Sequence, residues 1–396
     1  MNKESIWTKE FIILSVINIF IALIFYLLVV TIASYAMTRF HASTSMSGLV
    51  TGIFVIGALF GRLGTGRIID NVENKKIFIV SLLFFAITTA SYLVSTTLPL
   101  LILNRLLHGI AFGVAATAIG TIIARILPTH RYGEGLSYFS MSIILATAIG
   151  PFIGILLIQY ANFELIFVFN LILAIFCLVL SFTIKEPAHK LPRPDKIKGA
   201  RRFKISNYLE FKAVPISIIA LIISFTYSGV ITFISIYAQQ INLLETASIF
   251  FIVFAITVLV SRPITGRLLD VKGANIVMYP CLFIYAIAMF LYSQVNLEIT
   301  LILAGVLFGL GYGNFQSISQ AIAIKVAPPH KLGLATATFF IFFDLGYGVG
   351  PYLFGFLVPF LGYRGLYSMM AIVILVAVVL YYFLYGRKEK QVKISN

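Results

Sequence analysis

Gly61-Arg62-Leu63-Gly64-Thr65-Gly66-Arg67-Ile68-Ile69-Asp70 closes an apolar run that begins near residue 46. The chain writes the pattern again as Arg262-Pro263-Ile264-Thr265-Gly266-Arg267-Leu268-Leu269-Asp270, at an offset of 200 residues. The offset holds elsewhere without a gap. Leu101, Gly109 and Gly113 return as Leu301, Gly309 and Gly313, His130 and Gly133 as His330 and Gly333, and Gly150-Pro151 as Gly350-Pro351. A repeat of this length bears on the architecture before any single residue is read.

What is repeated is a set of membrane spans. Hydrophobic residues make up 60% of the 396 and charged residues only 11%, against roughly 25% in a soluble domain. Mean hydropathy is +1.02. These values exclude a soluble enzyme, a DNA-binding domain and a disordered chain. A crossing helix needs about 20 apolar residues, and twelve runs qualify, near 11–36, 46–69, 75–95, 99–125, 134–160, 163–184, 212–239, 246–270, 275–294, 298–325, 332–359 and 364–386. The expected fold is all-α integral membrane, with 12 transmembrane helices in two pseudo-symmetric six-helix bundles. Six spans per repeat is an even number, so the halves are parallel, related by an axis along the membrane normal.

Charge placement orients the chain. With a cytoplasmic N-terminus, the outward loops hold only Arg39 and Arg364 of the 29 Lys and Arg, and Arg105 lies inside a span. That bias predicts both termini on the cytoplasmic side of the plasma membrane, and it accounts for the net charge of +15 without nucleic acid. Lys185–Lys212 carries nine Lys and Arg with Pro187, Pro192 and Pro194. It reads as a basic cytoplasmic linker resting against anionic lipid. The division is therefore 1–184, an N-terminal six-helix bundle; 185–211, the linker; and 212–396, a C-terminal six-helix bundle with a short cytoplasmic tail. Cys177 and Cys281 lie in apolar runs and read as buried free thiols. No Cys/His cluster has metal-ligand spacing, no nucleotide-binding loop occurs, and no cofactor is expected.

The motif at 61–70, with its copy at 266–270, resembles the loop 2–3 signature of the major facilitator superfamily. The resemblance extends over essentially the whole chain and adds three further motifs, around Arg105, at Gly150-Pro151, and in the run Asp344-Leu345-Gly346-x-Gly348-x-Gly350-Pro351, which resembles span 11 of small-molecule efflux members. It implies a cytoplasmic gate in which Gly66, Arg67 and Asp70, with Gly266, Arg267 and Asp270, latch the halves. Here Asn71-Val72-Glu73-Asn74-Lys75-Lys76 keeps only the terminal basic pair of the usual continuation. Arg105, in Asn104-Arg105-Leu106-Leu107-His108-Gly109, matches the intramembrane arginine linked to proton transfer in related antiporters. A charge about 9 Å into a helix is costly and rarely faces lipid. Gly150-Pro151-x-x-Gly154 resembles the antiporter-type helix seal, with Ala146 and Ile155 replacing two of its glycines.

Asp344 is the most informative single residue. It lies eleven residues beyond Gly333, about 16 Å into its span, whereas the other acids sit at span ends, in loops or in tails. An intramembrane acid is a functional-site candidate by default. Asp344 is read as the proton-binding or cation-binding group and Arg105 as its tuning charge, with a structural hydrogen bond as the alternative role. Polar candidates for the substrate cavity are Asn18, Tyr26, His108, Tyr227, Ser228, Asn314, Gln316 and Gln320, His108 being expected neutral. The resemblance implies a proton-coupled exporter of a small drug-like, amphiphilic or zwitterionic molecule, working as a monomer by alternating access. An uptake symporter of the same fold, a lipid flippase and a non-transporting receptor are the rival readings.

Overall fold

Helix starts are written locally. Thr8 accepts from the Phe11 amide at 3.2 Å, Thr97 from the Leu100 amide and Asn162 from the Leu165 amide at 2.9 Å, each satisfying an amide that a first turn leaves orphaned. The structure, a computed structural model, describes residues 5–68, 73–128, 131–184, 209–328 and 331–387, with the side chains of 66–68, 132–134 and 137 left out. Asp70, the side chains of Gly66 and Arg67, most of the expected linker and the end of the tail therefore lie outside the described residues.

The described residues are helical almost throughout. In order they form α1 (Lys9–Phe40), α2 (Thr44–Ile68), α3 (Asn74–Ala90, extended by a 3-10 turn Ser91–Val94), α4 (Leu98–Ile126), α5 (Tyr132–Tyr160) and α6 (Phe163–Phe182). These are followed by α7 (Val214–Gln240), α8 (Leu244–Lys272), α9 (Asn275–Ser293), α10 (Glu298–Phe308), a π-turn (Gly309–Gly313), α11 (Asn314–Lys325) and α12 (Leu332–Tyr381). Among the described residues eleven segments are long and apolar enough to cross a membrane, α10, the π-turn and α11 counting as one. The sequence expectation was twelve. The difference lies in α12, whose 50 residues take up the two expected spans 332–359 and 364–386 and break at Gly362, with φ 64°. That left-handed value suits glycine, which has no Cβ to clash.

The chain divides into two compact units. One comprises Met1–His41 and Ile53–Ala200; the other comprises Ala42–Gly52 and Arg201–Asn396. The opening of α2 belongs with the second unit because Gly48 and Gly52 lie against the Pro351 and Gly348 carbonyls of α12, and Ser45 lies against Gly355. Within the first unit α5 packs on α1. An added Cβ at Gly150 would stand 3.0 Å from the Leu23 carbonyl, and one at Gly154 would stand 3.1 Å from that of Leu27. Within the second unit α12 packs on α7 in the same way, with Gly346 against the Leu221 carbonyl and Gly350 against the Ser228 hydroxyl. Cys177 and Cys281 are buried free thiols.

Candidate functional site

In the first unit the polar core is a chain of side chains on α3 and α4. Arg105 is completely buried. Its guanidinium carbon sits 4.5 Å from the Phe54 ring centroid, a cation–π contact, and its Nη1 donates to Tyr92 Oη at 3.3 Å. Tyr92 Oη lies 2.9 Å from His108 Nδ1, and His108 Nε2 lies 3.2 Å from Thr89 Oγ1. The Thr89 hydroxyl spends its proton on the Phe85 carbonyl at 2.7 Å, so it accepts from His108 Nε2–H. Nδ1 then accepts from the Tyr92 hydroxyl, which accepts from Arg105. Donors and acceptors match along the whole chain only with a neutral imidazole protonated at Nε2. Arg105 and His108 are thus brought together, as positions three apart on one helix allow.

Sequence reasoning missed Tyr92 and Thr89. Neither breaks the apolar pattern of α3, and only their partners on α4 single them out. It also passed over Asn104 and Asn170, both buried, whose Asn104 Nδ2 and whole Asn170 amide make no hydrogen bond among the described residues. Asn18 donates to Ser142 Oγ at 2.6 Å, tying α1 to α5. Tyr26 is half-buried with its Cβ beside Gly150. The glycines Gly150 and Gly154, with Pro151 between them, make their contacts inside the first unit, against α1.

The second unit holds the acid. Asp344 is 9% exposed on α12, one residue after a carbonyl, that of Phe343, which accepts from Ser224 Oγ at 2.8 Å. Among the described residues it is the acid that lies in the interior of an apolar helix. Tyr227 of α7 stacks on Tyr312 of the π-turn, 3.8 Å between centroids at 14°, with Tyr347 at 6.3 Å and Phe254 at 6.1 Å. Ser228 bonds its own helix at the Phe225 carbonyl.

Asn314 sits at the end of the π-turn and is fully buried. Its Nδ2 donates to Ser261 Oγ at 2.8 Å and to the Leu310 carbonyl at 3.1 Å, while its Oδ1 accepts from Thr265 Oγ1 at 2.9 Å. The amide thus clamps the π-turn to α8. Gln316 and Gln320, one turn apart, are half-buried and are not so committed. Of the gate copy, Gly266 has no heavy atom within 4 Å of an added Cβ. Arg267 and Asp270 are exposed and form no ion pair among the described residues. No group of three or more His, Cys, Asp or Glu suited to a metal occurs among the described residues.

Two buried ionisable positions on apolar helices are candidates for a functional site in a membrane protein. The family model of the Major Facilitator Superfamily matches residues 14–295 and 244–396. The chain belongs to that superfamily of membrane transporters, and it is not an enzyme. It is 28% identical over 363 residues to an uncharacterized MFS-type transporter of Methanocaldococcus jannaschii, covering 88% of this chain and 91% of that one. It is 24% identical to Multidrug resistance protein 2 of Bacillus subtilis, covering 90% and 91%. Among solved structures, a bacterial homolog to the human lysosomal transporter Spinster superposes with a TM-score of 0.79 at 13% identity, covering 97% of this chain and 98% of that one. This last likeness is one of fold.

Proposed function

We propose that this protein exports a small drug-like, amphiphilic or zwitterionic molecule in exchange for protons, by alternating access of two six-helix halves. The observation that carries the reading is Asp344, a carboxyl group buried in the interior of an apolar helix. A carboxylate there is costly unless it is protonated or paired. Its protonation state can therefore be coupled to what else occupies the unit. The full-length likeness to the Bacillus subtilis multidrug resistance protein supports export as the direction.

In this reading the two helical segments on either side of Gly362 are separate spans. The chain then has twelve, and both termini lie on the cytoplasmic side of the plasma membrane. Arg105 supplies a fixed positive charge, held by Phe54 and Tyr92, and the neutral His108 belongs to the frame that holds it. Tyr227, Gln316 and Gln320 are the side chains best placed for a guest in the second unit, Tyr26 in the first. Asn18 and Asn314 set the helices that carry them. Gly150, Pro151 and Gly154 hold α5 tightly to α1, so that the first half moves as a body. Arg67 and Asp70, with Arg267 and Asp270, serve the cytoplasmic face. The protein works as a monomer.

The test is proton flux in inverted vesicles with an acidified lumen, challenged with a panel of lipophilic cations and zwitterions. Wild type is expected to discharge the pH gradient on addition of a transported compound, and Asp344→Asn to leave it intact. Equal discharge by both proteins would remove Asp344 from coupling. Compound movement in the same direction as the proton would replace antiport with uptake.

A further inference from the structure

On the face of the first unit formed by α3 and α4, the two helices part to leave a groove of about 350 Å³, walled by Lys76, Val80, Ser81 and Phe84 of α3 and by Ala111 and Val114 of α4. The groove presents carbon. The one hydroxyl in its wall, that of Ser81, is turned back to the Phe78 carbonyl at 2.7 Å. The apolar surface continues along the exposed side of α3 through Val80, Leu83 and Ile87, which are 65%, 48% and 54% exposed, at helical spacing. In a membrane transporter such a face meets lipid.

The mouth is charged. Lys76 stands in the first turn of α3, its side chain 74% exposed, with its Nζ 2.7 Å from Glu73 Oε2. Lys75 precedes it, so Glu73, Lys75 and Lys76 together leave one positive charge. From Lys76 to Phe84 is eight residues, about 12 Å of helix, close to half of the roughly 30 Å hydrocarbon core. The repeat makes the groove specific to the first half. The positions 200 residues on are Ile276, Pro280, Cys281, Ile284, Gly311 and Asn314. There the mouth has no lysine, and Gly311 of the π-turn approaches the backbone of α9 so closely that an added Cβ would lie 2.7 Å from the Tyr285 nitrogen.

We propose that this groove binds one acyl chain of an anionic glycerophospholipid whose phosphate rests on Lys76. The carbon wall takes the chain, the depth fits one leaflet, and the excess positive charge selects an anionic headgroup over a neutral one. The site is independent of the coupling assigned to Asp344. It gives a use to the basic pair Lys75-Lys76.

The experiment is native mass spectrometry of the full-length protein in neutral detergent, titrated with phosphatidylglycerol or phosphatidylcholine of identical acyl chains. Wild type is expected to retain one phosphatidylglycerol in preference to phosphatidylcholine. Lys76→Gln lowers that affinity about fivefold, the effect of one basic residue near a charged lipid surface. Val80→Trp, on the exposed face, fills the groove and removes the tight adduct while keeping the lysine. Lys325→Gln, at an exposed lysine outside the groove, leaves it unchanged. Equal retention of the two lipids by wild type, or undiminished retention of phosphatidylglycerol by both Lys76→Gln and Val80→Trp, overturns the proposal.

Discussion

Arg105 and His108 of α4 occupy the same repeat positions as Gly305 and Phe308 of α10. Around the first pair stand Phe54, Phe85, Thr89 and Tyr92; the positions 200 residues on are Phe254, Tyr285, Met289 and Tyr292, of which Tyr285 and Tyr292 pack on Phe308. Backbone plan and aromatic frame are shared, while the centre differs. Where the first unit has a cation and an imidazole in a hydrogen-bonded chain, the second has the Phe308 ring packed at 5.5 Å from Tyr285, 5.8 Å from Tyr292 and 5.6 Å from Phe250. The acid is distributed the opposite way, since Asp344 answers to Ile144. The halves therefore keep the contacts that build a bundle and divide the deeply buried charges between them, Arg105 in one and Asp344 in the other.

The comparison can be broken first at the contact of α12 with the α7 backbone. Gly346→Ala drives a Cβ into the Leu221 carbonyl and is expected to cost about 3 kcal/mol, as overpacking against backbone does. The reverse change at the counterpart, Ala146→Gly, should cost only about 1 kcal/mol of helix propensity. Thermal midpoints in detergent compare the two, and similar losses would mean that α1–α5 and α7–α12 pack alike. The next effect is at the hubs. Tyr92→Phe removes the hydroxyl joining Arg105 to His108 and should cost about 2 kcal/mol. Tyr292→Phe should cost under about 1 kcal/mol, because that hydroxyl bridges no buried charge or imidazole and meets at most the neighbouring Tyr367 hydroxyl.

The smallest effect concerns Glu210 and its counterpart Glu10, both just outside the spans. Glu210 Oε2 pairs with Lys331 Nζ at 3.1 Å, and this hydrogen-bonded ion pair holds its carboxyl below the ordinary value of 4.5. A depressed acid stabilises the fold above its unfolded value, and that contribution disappears as pH falls through 4.5 and then through the lower folded value. Glu210→Gln should therefore flatten the acid limb of the stability profile. Glu10→Gln should leave it alone, since Glu10 has no ion pair among the described residues. A thermal midpoint series from pH 3 to pH 7 (roughly the window of carboxylate titration) separates them.

Much of this was readable in the chain because a bilayer imposes length and polarity on each span separately. The apolar runs predicted ten helical segments closely, and the glycines at 150 and 154 lie at close approaches of α5 to α1. Gly362 was harder, since an apolar run with one glycine reads equally as a turn or as a break within a continuous helix. Polar positions inside spans were the least legible. Asn314 and Gln316 look equivalent as letters, yet one is clamped to Ser261 and Thr265 and the other is not. Which side chain bonds a neighbouring helix depends on rotation about the helix axis, which composition does not announce. Tyr92 was invisible for the related reason that a tyrosine among apolar residues declares no partner.

The π-turn at Gly309–Gly313 has a further consequence. Its i to i+5 bonding takes up one more residue per turn than an α-helix does. Left uncompensated, one such turn would rotate everything after it by about 100° relative to an uninterrupted helix. Yet the repeat stays gapless across this point, with His130 and Gly133 still answering to His330 and Gly333. The faces also stay in step: Phe315, Ile318, Ser319 and Ile322 are buried as Ala115, Ala118, Ile119 and Ile122 are, and Gly313 meets α8 at Val258 as Gly113 meets α2 at Ala58, so the widened turn is absorbed between Gly309 and Gly313 without turning the rest of the helix.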